Sequence, residues 1–203
     1  MAGGGIAMFM QVIQGKVRDE ALMRRQIEQW KSDVKPGATG YLGSTSGITP
    51  DGQYVLLARF ESEDAARTNS KRPEQGAWWA KTAPAFDGEP TFIDCETVDT
   101  MFGGGSSDAG FVQVMHGRAK DPEAMRAAGI AMEDDLRKMR PDILGGIVGW
   151  HGDRNFTQAM YFISEDTARK GETEMEGDAD MDEWGKMMDG EITFLDLREP
   201  EFD

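Results

Sequence analysis

The chain is short of cysteine, histidine, tyrosine and positive charge, and it has no long apolar run. One cysteine, Cys95, in 203 residues excludes an internal disulfide and suits a reducing cytosol. Two histidines, His116 and His151, leave no ligand set at the spacing of a zinc site, so no metal is expected. No stretch reaches the roughly 20 apolar residues that a bilayer-spanning helix needs, and no basic head leads an apolar segment as in a secretory leader. Lys and Arg number 22 against 37 Asp and Glu, a net charge of −15. That balance keeps a chain soluble and repels nucleic acid and anionic lipid. The expectation is a cytoplasmic protein with no nucleic-acid and no membrane partner.

What is present is a repeat. Phe9-Met10-Gln11-Val12-Ile13-Gln14-Gly15-Lys16 returns 102 residues on as Phe111-Val112-Gln113-Val114-Met115-His116-Gly117-Arg118. Ser62-Glu63-Asp64-Ala65-Ala66-Arg67 and Glu89-Pro90-Thr91-Phe92-Ile93-Asp94 recur at the same offset, as Ser164-Glu165-Asp166-Thr167-Ala168-Arg169 and Glu191-Ile192-Thr193-Phe194-Leu195-Asp196. Three matches in one order at one spacing indicate a duplicated domain. The expected division is a first domain over 7–99, a flexible Gly/Ser-rich linker over 100–110 and a second domain over 111–198, with the ends (1–6 and 198–203) loose. The acidic excess sits in copy two: residues 8–99 carry −3 and residues 111–203 carry −11.

Each copy reads β-α-β-β-α-β. In copy one an apolar strand ends at Gly15. Met23, Ile27, Trp30 and Val34 then form the stripe of an amphipathic helix that stops at Pro36-Gly37. Two strands follow around Thr49-Pro50-Asp51-Gly52, a hairpin signal. Ser62 caps a helix with acids in its first turn. Pro73 interrupts the helical region, a second piece carries Trp78-Trp79, and Thr91–Val98 is the last strand. Copy two repeats the plan, with Asp121-Pro122 as a strong helix start. Counted between glycines and helix caps (Gly40 to Ser62, Gly145 to Ser164), its hairpin reads three residues shorter. The fold class is α+β, two tandem ferredoxin-like domains. Because an open sheet must bury both faces, the copies are expected to pack sheet to sheet as an α+β barrel.

Pro36-Gly37-Ala38-Thr39-Gly40-Tyr41-Leu42-Gly43, and Tyr54–Phe60 running into Glu61-Ser62-Glu63-Asp64-Ala65, resemble the dimeric α+β barrel superfamily, within it the antibiotic-biosynthesis-monooxygenase-like domain. Pro141-Asp142-Ile143-Leu144-Gly145-Gly146 and Phe162-Ile163-Ser164-Glu165-Asp166 repeat both stretches. The resemblance implies a pseudo-dimer made within one chain, with room for a further homodimer. It also implies a ligand cleft between each sheet and its helices, with the polar residue near the end of strand one pointing in. Gln14 and His116 hold that place. His116 becomes the candidate acid–base residue, since imidazole titrates near neutral pH.

Trp78 and Trp79, and in copy two Trp184 with Met187, are the candidate substrate-binding residues, able to stack on a flat ligand. Neighbours on a helix point about 100° apart, so one of Trp78 and Trp79 is expected to be core. The resemblance implies a cofactor-independent monooxygenase acting on an aromatic or polyketide-like substrate, that is, a small hydrophobic partner and no cofactor. The alternatives are an acidic binding or scaffold protein, or a haem-binding relative. Haem is disfavoured because the late helices hold no histidine. The acidic run from Glu172 to Glu183 lacks the loop spacing of a calcium site and reads as a solvated face.

Overall fold

The computed structural model describes residues 8–175, 177 and 179–203. Residues 1–6, expected to be loose, and Glu176 and Asp178 of the acidic run lie outside the described residues. The chain divides into two compact units: one runs up to Thr97 and takes in Glu201–Asp203, the other is Val98–Pro200.

In the first unit the elements are β1 (Phe9–Lys16), α1 (Glu20–Gln29), β2 (Tyr41–Ile48), β3 (Gln53–Phe60), α2 (Glu63–Ser70), α3 (Pro73–Thr82) and β4 (Thr91–Cys95). In the second they are β5 (Thr97–Met101), β6 (Phe111–Arg118), α4 (Pro122–Met139), β7 (Ile143–His151), β8 (Asn155–Phe162), α5 (Glu165–Glu174), α6 (Ala179–Lys186) and β9 (Thr193–Leu197), and β10 (Glu201–Phe202) closes the chain. The sheet orders are β10-β2-β3-β1-β4 and β5-β7-β8-β6-β9. Each unit is thus a ferredoxin-like α+β fold with one added strand.

Local chemistry sets the helix starts. Asp19 accepts a hydrogen bond from Leu22 N at 2.8 Å, Ser62 from Ala65 N at 3.1 Å, and Asp121 from Glu123 N and Ala124 N. Each removes a backbone donor that the helix cannot satisfy itself. Pro73, fixed at the φ of a first helical turn, starts α3.

Strand pairing corrects the reading of the hairpins. Tyr41 pairs with Phe60 and Gly43 with Arg59; Ile143 pairs with Phe162 and Gly145 with Tyr161. Both hairpins therefore keep the 102-residue offset, with a bulge at the same place, and have the same length. No three-residue difference exists, because the counterpart of Gly145 is Gly43 and not Gly40. The caps Asp19 and Asp121 keep the same offset, so the first-helix regions are equally long and differ only in winding. In copy two, α4 runs straight to Met139. In copy one, α1 stops at Gln29 and widens into a π turn, Trp30–Val34, followed by a tight 3₁₀ turn, Lys35–Gly37.

Two segments expected to be loose are ordered. Thr100 and Met101 finish β5. Phe102 beyond them is buried, its amide donates to Glu133 Oε1 at 2.8 Å, and the Arg137 guanidinium lies over its ring. At the other end Glu201 and Phe202 pair with Ser46 and Thr45 of β2, and Glu201 bridges Arg24 and Lys31. An apolar anchor in one case and carboxylate–cation pairing in the other outweigh the glycines and the polar composition that suggested flexibility.

Strand parity fixes what faces the helices. On β1, Met10 and Val12 point to one face with Val55, Leu57 and Cys95, all fully buried, while Gln11 and Ile13 point to the helices. On β6, Val112 and Val114 share the first kind of face with Ala159 and Tyr161, again fully buried, while Gln113 and Met115 face the helices. The glycine that ends the repeated motif serves close packing. A Cβ on Gly15 would lie 2.8 Å from the Phe86 ring, and one on Gly117 would lie 2.6 Å from the Phe156 ring.

Candidate functional site

Each unit has a cavity between its helices and the helix-facing side of its sheet. The first measures about 270 Å³ and the second about 540 Å³. Sites for small ligands run from about 300 to 1,000 Å³, so one stands just under that range and the other within it.

The first cavity is an aromatic cage. Trp30 reaches it from the π turn, Trp78 and Trp79 from α3, and Tyr41, Tyr54 and Phe92 from the strands. The rings brace one another, edge to face for Trp30–Tyr41 and Trp79–Phe92 and tilted for Trp78–Trp79. Trp30 and Tyr41 centroids are 4.9 Å apart, Trp79 and Phe92 5.3 Å, and Trp78 and Trp79 5.9 Å. The indoles are also tied by their N–H groups. Trp30 Nε1 donates to Gln75 Oε1 at 2.9 Å and Trp78 Nε1 to the Gln26 carbonyl at 2.7 Å. Both adjacent tryptophans line the cavity, and Trp79 also packs against the core cluster of Met23, Tyr54, Ala85 and Phe86. Trp78 packs toward Trp30, and Trp79 toward Phe92 and Phe86.

Polar groups enter this cage from one side. Ser44 and Ser46 line it from β2, and Tyr41 Oη donates to Asp203 Oδ2 at 3.2 Å, while the same carboxylate pairs with Lys35. Burial raises both phenols above their ordinary range; Ser44 and Asp203 act on Tyr41, and Ser46 on Tyr54. Burial pulls Lys31, at the cavity edge, downward, but its bonds to Glu28 and Glu201 outweigh this and leave it raised.

The second cavity is lined more by methionine than by rings. Met101, Met115, Met132, Met160, Met175 and Met188 surround it, with Trp184, Phe162 and Phe194. Methionine fills irregular space with a flexible, polarizable chain and suits adaptable pockets. Arg140 and Arg169 stand at its wall. Arg140 is 7% exposed and holds Asp142 by a two-pronged bond, Nε to Oδ1 and Nη2 to Oδ2, both 2.8 Å. Arg169 pairs with Asp196 and Glu172 and covers the Phe111 ring.

The sequence-derived site residues fall into two groups. Trp78, Trp79 and Trp184 line cavities. Gln14, His116 and Met187 line neither; Met187 packs beside Met188 against the core of the second unit. Gln14 and His116 have the parity of Val12 and Val114, so they lie on the sheet face turned away from the helices. His116 Nδ1 is 2.9 Å from Thr157 Oγ1, whose other neighbour is His151 Nε2 at 3.4 Å, and His116 Nε2 is buried with no partner among the described residues. Burial, and then the neighbouring His151, lower the His116 pKa from its ordinary value. Burial lowers that of His151 too. The two histidines form one cluster with a threonine, and none of the three lines either cavity.

The glutamines that do face the cavities are Gln11 and Gln113. Each donates to the same aspartate of the last strand, Asp94 at 2.7 Å and Asp196 at 3.2 Å. They were findable. Positions 11 and 113 keep the same residue in both copies, whereas 14 and 116 do not, and strand alternation puts 11 opposite in face to 14. Tyr41, Tyr54 and Arg140 had no such signal, because each depends on which face of a neighbouring strand or turn it occupies. Among the described residues no group of three His, Cys, Asp or Glu side chains could hold a metal, and no helix is long and apolar enough to cross a membrane.

No protein-family model matches the chain. No curated protein matches it either. Solved structures do. A protein named putative monooxygenase from Fusobacterium nucleatum superposes with a TM-score of 0.74 over 97% of this chain and 94% of its own, at 11% identity. A second of that name, from Lactobacillus acidophilus, gives 0.71 over 97% and 99% at 12% identity. An anthrone oxidase-like protein gives 0.66 over 97% and 93% at 12% identity. Identity that low speaks for fold alone, and the whole-length coverage extends the likeness to both copies. By fold, then, the chain is similar over its whole length to these two putative monooxygenases and to the anthrone oxidase-like protein.

Proposed function

We propose that the protein binds small, largely apolar molecules in its two sheet–helix cavities and oxidises an aromatic one held in the first, as a cofactor-independent monooxygenase. The observation that carries this reading is the cage of Trp30, Tyr41, Tyr54, Trp78, Trp79 and Phe92 around an open volume. Aromatic walls tied by their own N–H bonds hold a flat ring system at little entropic cost. The Tyr41–Asp203 pair supplies the acid–base group beside it. An anthrone-like carbon acid bound there gives up a proton toward the Asp203 carboxylate. The carbanion then passes electrons to dioxygen. The ring CH₂ becomes C=O, one oxygen atom stays in the product and the other leaves as water. The likeness to an anthrone oxidase-like protein suggests the substrate to try first.

The test is oxygen uptake with anthrone as substrate. One O₂ consumed per quinone formed is expected, with loss of rate in Asp203→Asn and Trp79→Ala. Uptake no faster than the protein-free blank, together with no quenching of tryptophan fluorescence by anthrone, would remove the proposal.

A further inference from the structure

The second cavity differs from the first in a way that points to its ligand. Gln158 lies on the helix-facing side of β8 at 7% exposure and lines the cavity, yet its amide has no hydrogen-bond partner among the described residues. The amide is open to the cavity rather than sealed in the core, so a polar group of a bound molecule can meet it there. In the first copy the same place is Leu56, so the fold itself does not call for a polar residue there.

A second unmatched donor stands at the other end of the strand. Arg140 spends Nε and Nη2 on Asp142, and Nη2 also reaches the Ala168 carbonyl at 3.3 Å. Its Nη1 has only the Met175 thioether, at 3.8 Å, a weak acceptor. The guanidinium lies over the Phe162 ring, four residues from Gln158 on one face of β8, or about 13 Å along the strand. Met160 lies between, and Met115 pairs with Gln158 across to β6.

Charge decides what kind of group meets Arg140. Asp142 already neutralises it, and Glu172 and Asp196 neutralise Arg169. A carboxylate brought in would therefore add an uncompensated negative charge to an acidic unit. A neutral acceptor oxygen accepts the free N–H without that cost.

We infer that the second cavity takes an elongated, uncharged molecule with an apolar middle, a carbonyl oxygen at one end held by Arg140 Nη1, and a second polar group at the other end held by the Gln158 amide. This rests on the reading of the sheet–helix cavities as ligand sites, and it makes the two cavities selective for different molecules. Ketones, quinones and lactones on a fused-ring or long aliphatic frame belong to the class.

The probe is 6-hydroxy-2-acetonaphthone, a neutral ketone with a hydroxyl at its far end. It is compared with 2-acetonaphthone, 2-ethylnaphthalene and 6-hydroxy-2-naphthoate. The full-length protein labelled with [methyl-¹³C]methionine reports the second cavity selectively. Six methionines line that cavity, and among the described residues none lines the first. The hydroxyketone is expected to shift those methyl signals with the lowest Kd, about tenfold below 2-acetonaphthone and further below 2-ethylnaphthalene, with the naphthoate weakest. Gln158→Leu, which installs the residue of copy one, should erase the advantage of the hydroxyketone over 2-acetonaphthone. Arg140→Lys, which keeps a cation beside Asp142, should erase that of 2-acetonaphthone over 2-ethylnaphthalene. Equal affinities for the four probes, a naphthoate that binds best, or a hydroxyketone preference that survives in Gln158→Leu would overturn the inference while leaving the cavity a ligand site. Methyl signals unmoved by every probe would instead overturn the ligand-site reading itself, and the inference with it.

Discussion

Replacing Gly171 by alanine tests whether Arg140 is fixed in place. In an exposed helix interior that change gains about 1 kcal/mol, because alanine loses less backbone freedom on folding. In α5 a Cβ at position 171 would lie 2.2 Å from Arg140 Nε, 2.4 Å from Cζ and 2.7 Å from Nη2. A flexible side-chain end could yield. This guanidinium cannot easily do so, since two bonds to Asp142 and one to the Ala168 carbonyl hold it in a buried site. Either α5 moves, at the usual overpacking cost of about 1–3 kcal/mol, or the pair breaks and leaves Asp142 uncompensated, at about 3–5 kcal/mol. Subtracting the helix gain leaves a net loss of roughly 0–2 kcal/mol by the cheaper route and roughly 2–4 kcal/mol by the dearer. For a chain of this size each kcal/mol moves Tm by about 2–4 °C, and urea melts at constant slope give the free energy directly. Gly76→Ala in α3, where a Cβ meets nothing within 4 Å, is the control and should be neutral or stabilising. A Gly171→Ala protein stabilised by the full helix gain of about 1 kcal/mol would show that Arg140 is free to move, and the orientation assigned to its Nη1 would lose its basis.

Other outcomes follow from the same structure. The folded-state pKa of His116 lies below its ordinary 6.5, so the unfolded chain takes up the proton first. Stability is therefore lost as pH falls through about 6.5 toward the folded pKa. His116→Gln, the residue of copy one, should flatten the dependence of Tm on pH between 7 and 5; an unchanged slope would refute the assignment. Asp121→Ala removes the α4 cap and should cost about 1 kcal/mol, read by urea melts, and full stability would contradict the capping role. Cys95 is buried and its thiol is pushed up to about 12. It should resist a disulfide reagent until the first unit unfolds, and rapid labelling of the native protein would refute its burial.

The architecture was legible because duplication writes the same pattern twice. Strand periodicity, helix caps at Ser62 and Asp121, and the Asp51-Gly52 turn all act over a few residues, so each could be read locally. The π turn at Trp30 could not, since its stripe of Met23, Ile27, Trp30 and Val34 suits an unbroken helix equally well. Nor could the ordering of Thr100–Phe102 and Glu201–Phe202, which depends on partners far along the chain. The site was half legible. Large aromatics in the late helices pointed to cavities because little else in those helices can form a wall. His116 drew attention by its chemistry, but a one-residue step along a strand reverses the face, and position 116 has the parity of Val112 and Val114.

The most direct test compares two substitutions for binding of anthrone, followed by quenching of tryptophan fluorescence. Ala58→Trp fills the first cavity from β3, and His116→Gln alters the opposite sheet face of the second unit. Binding to the cage should be lost in Ala58→Trp and unchanged within about twofold in His116→Gln. Full binding in Ala58→Trp with loss in His116→Gln would place the ligand on the face turned away from the helices and contradict the assignment of both cavities.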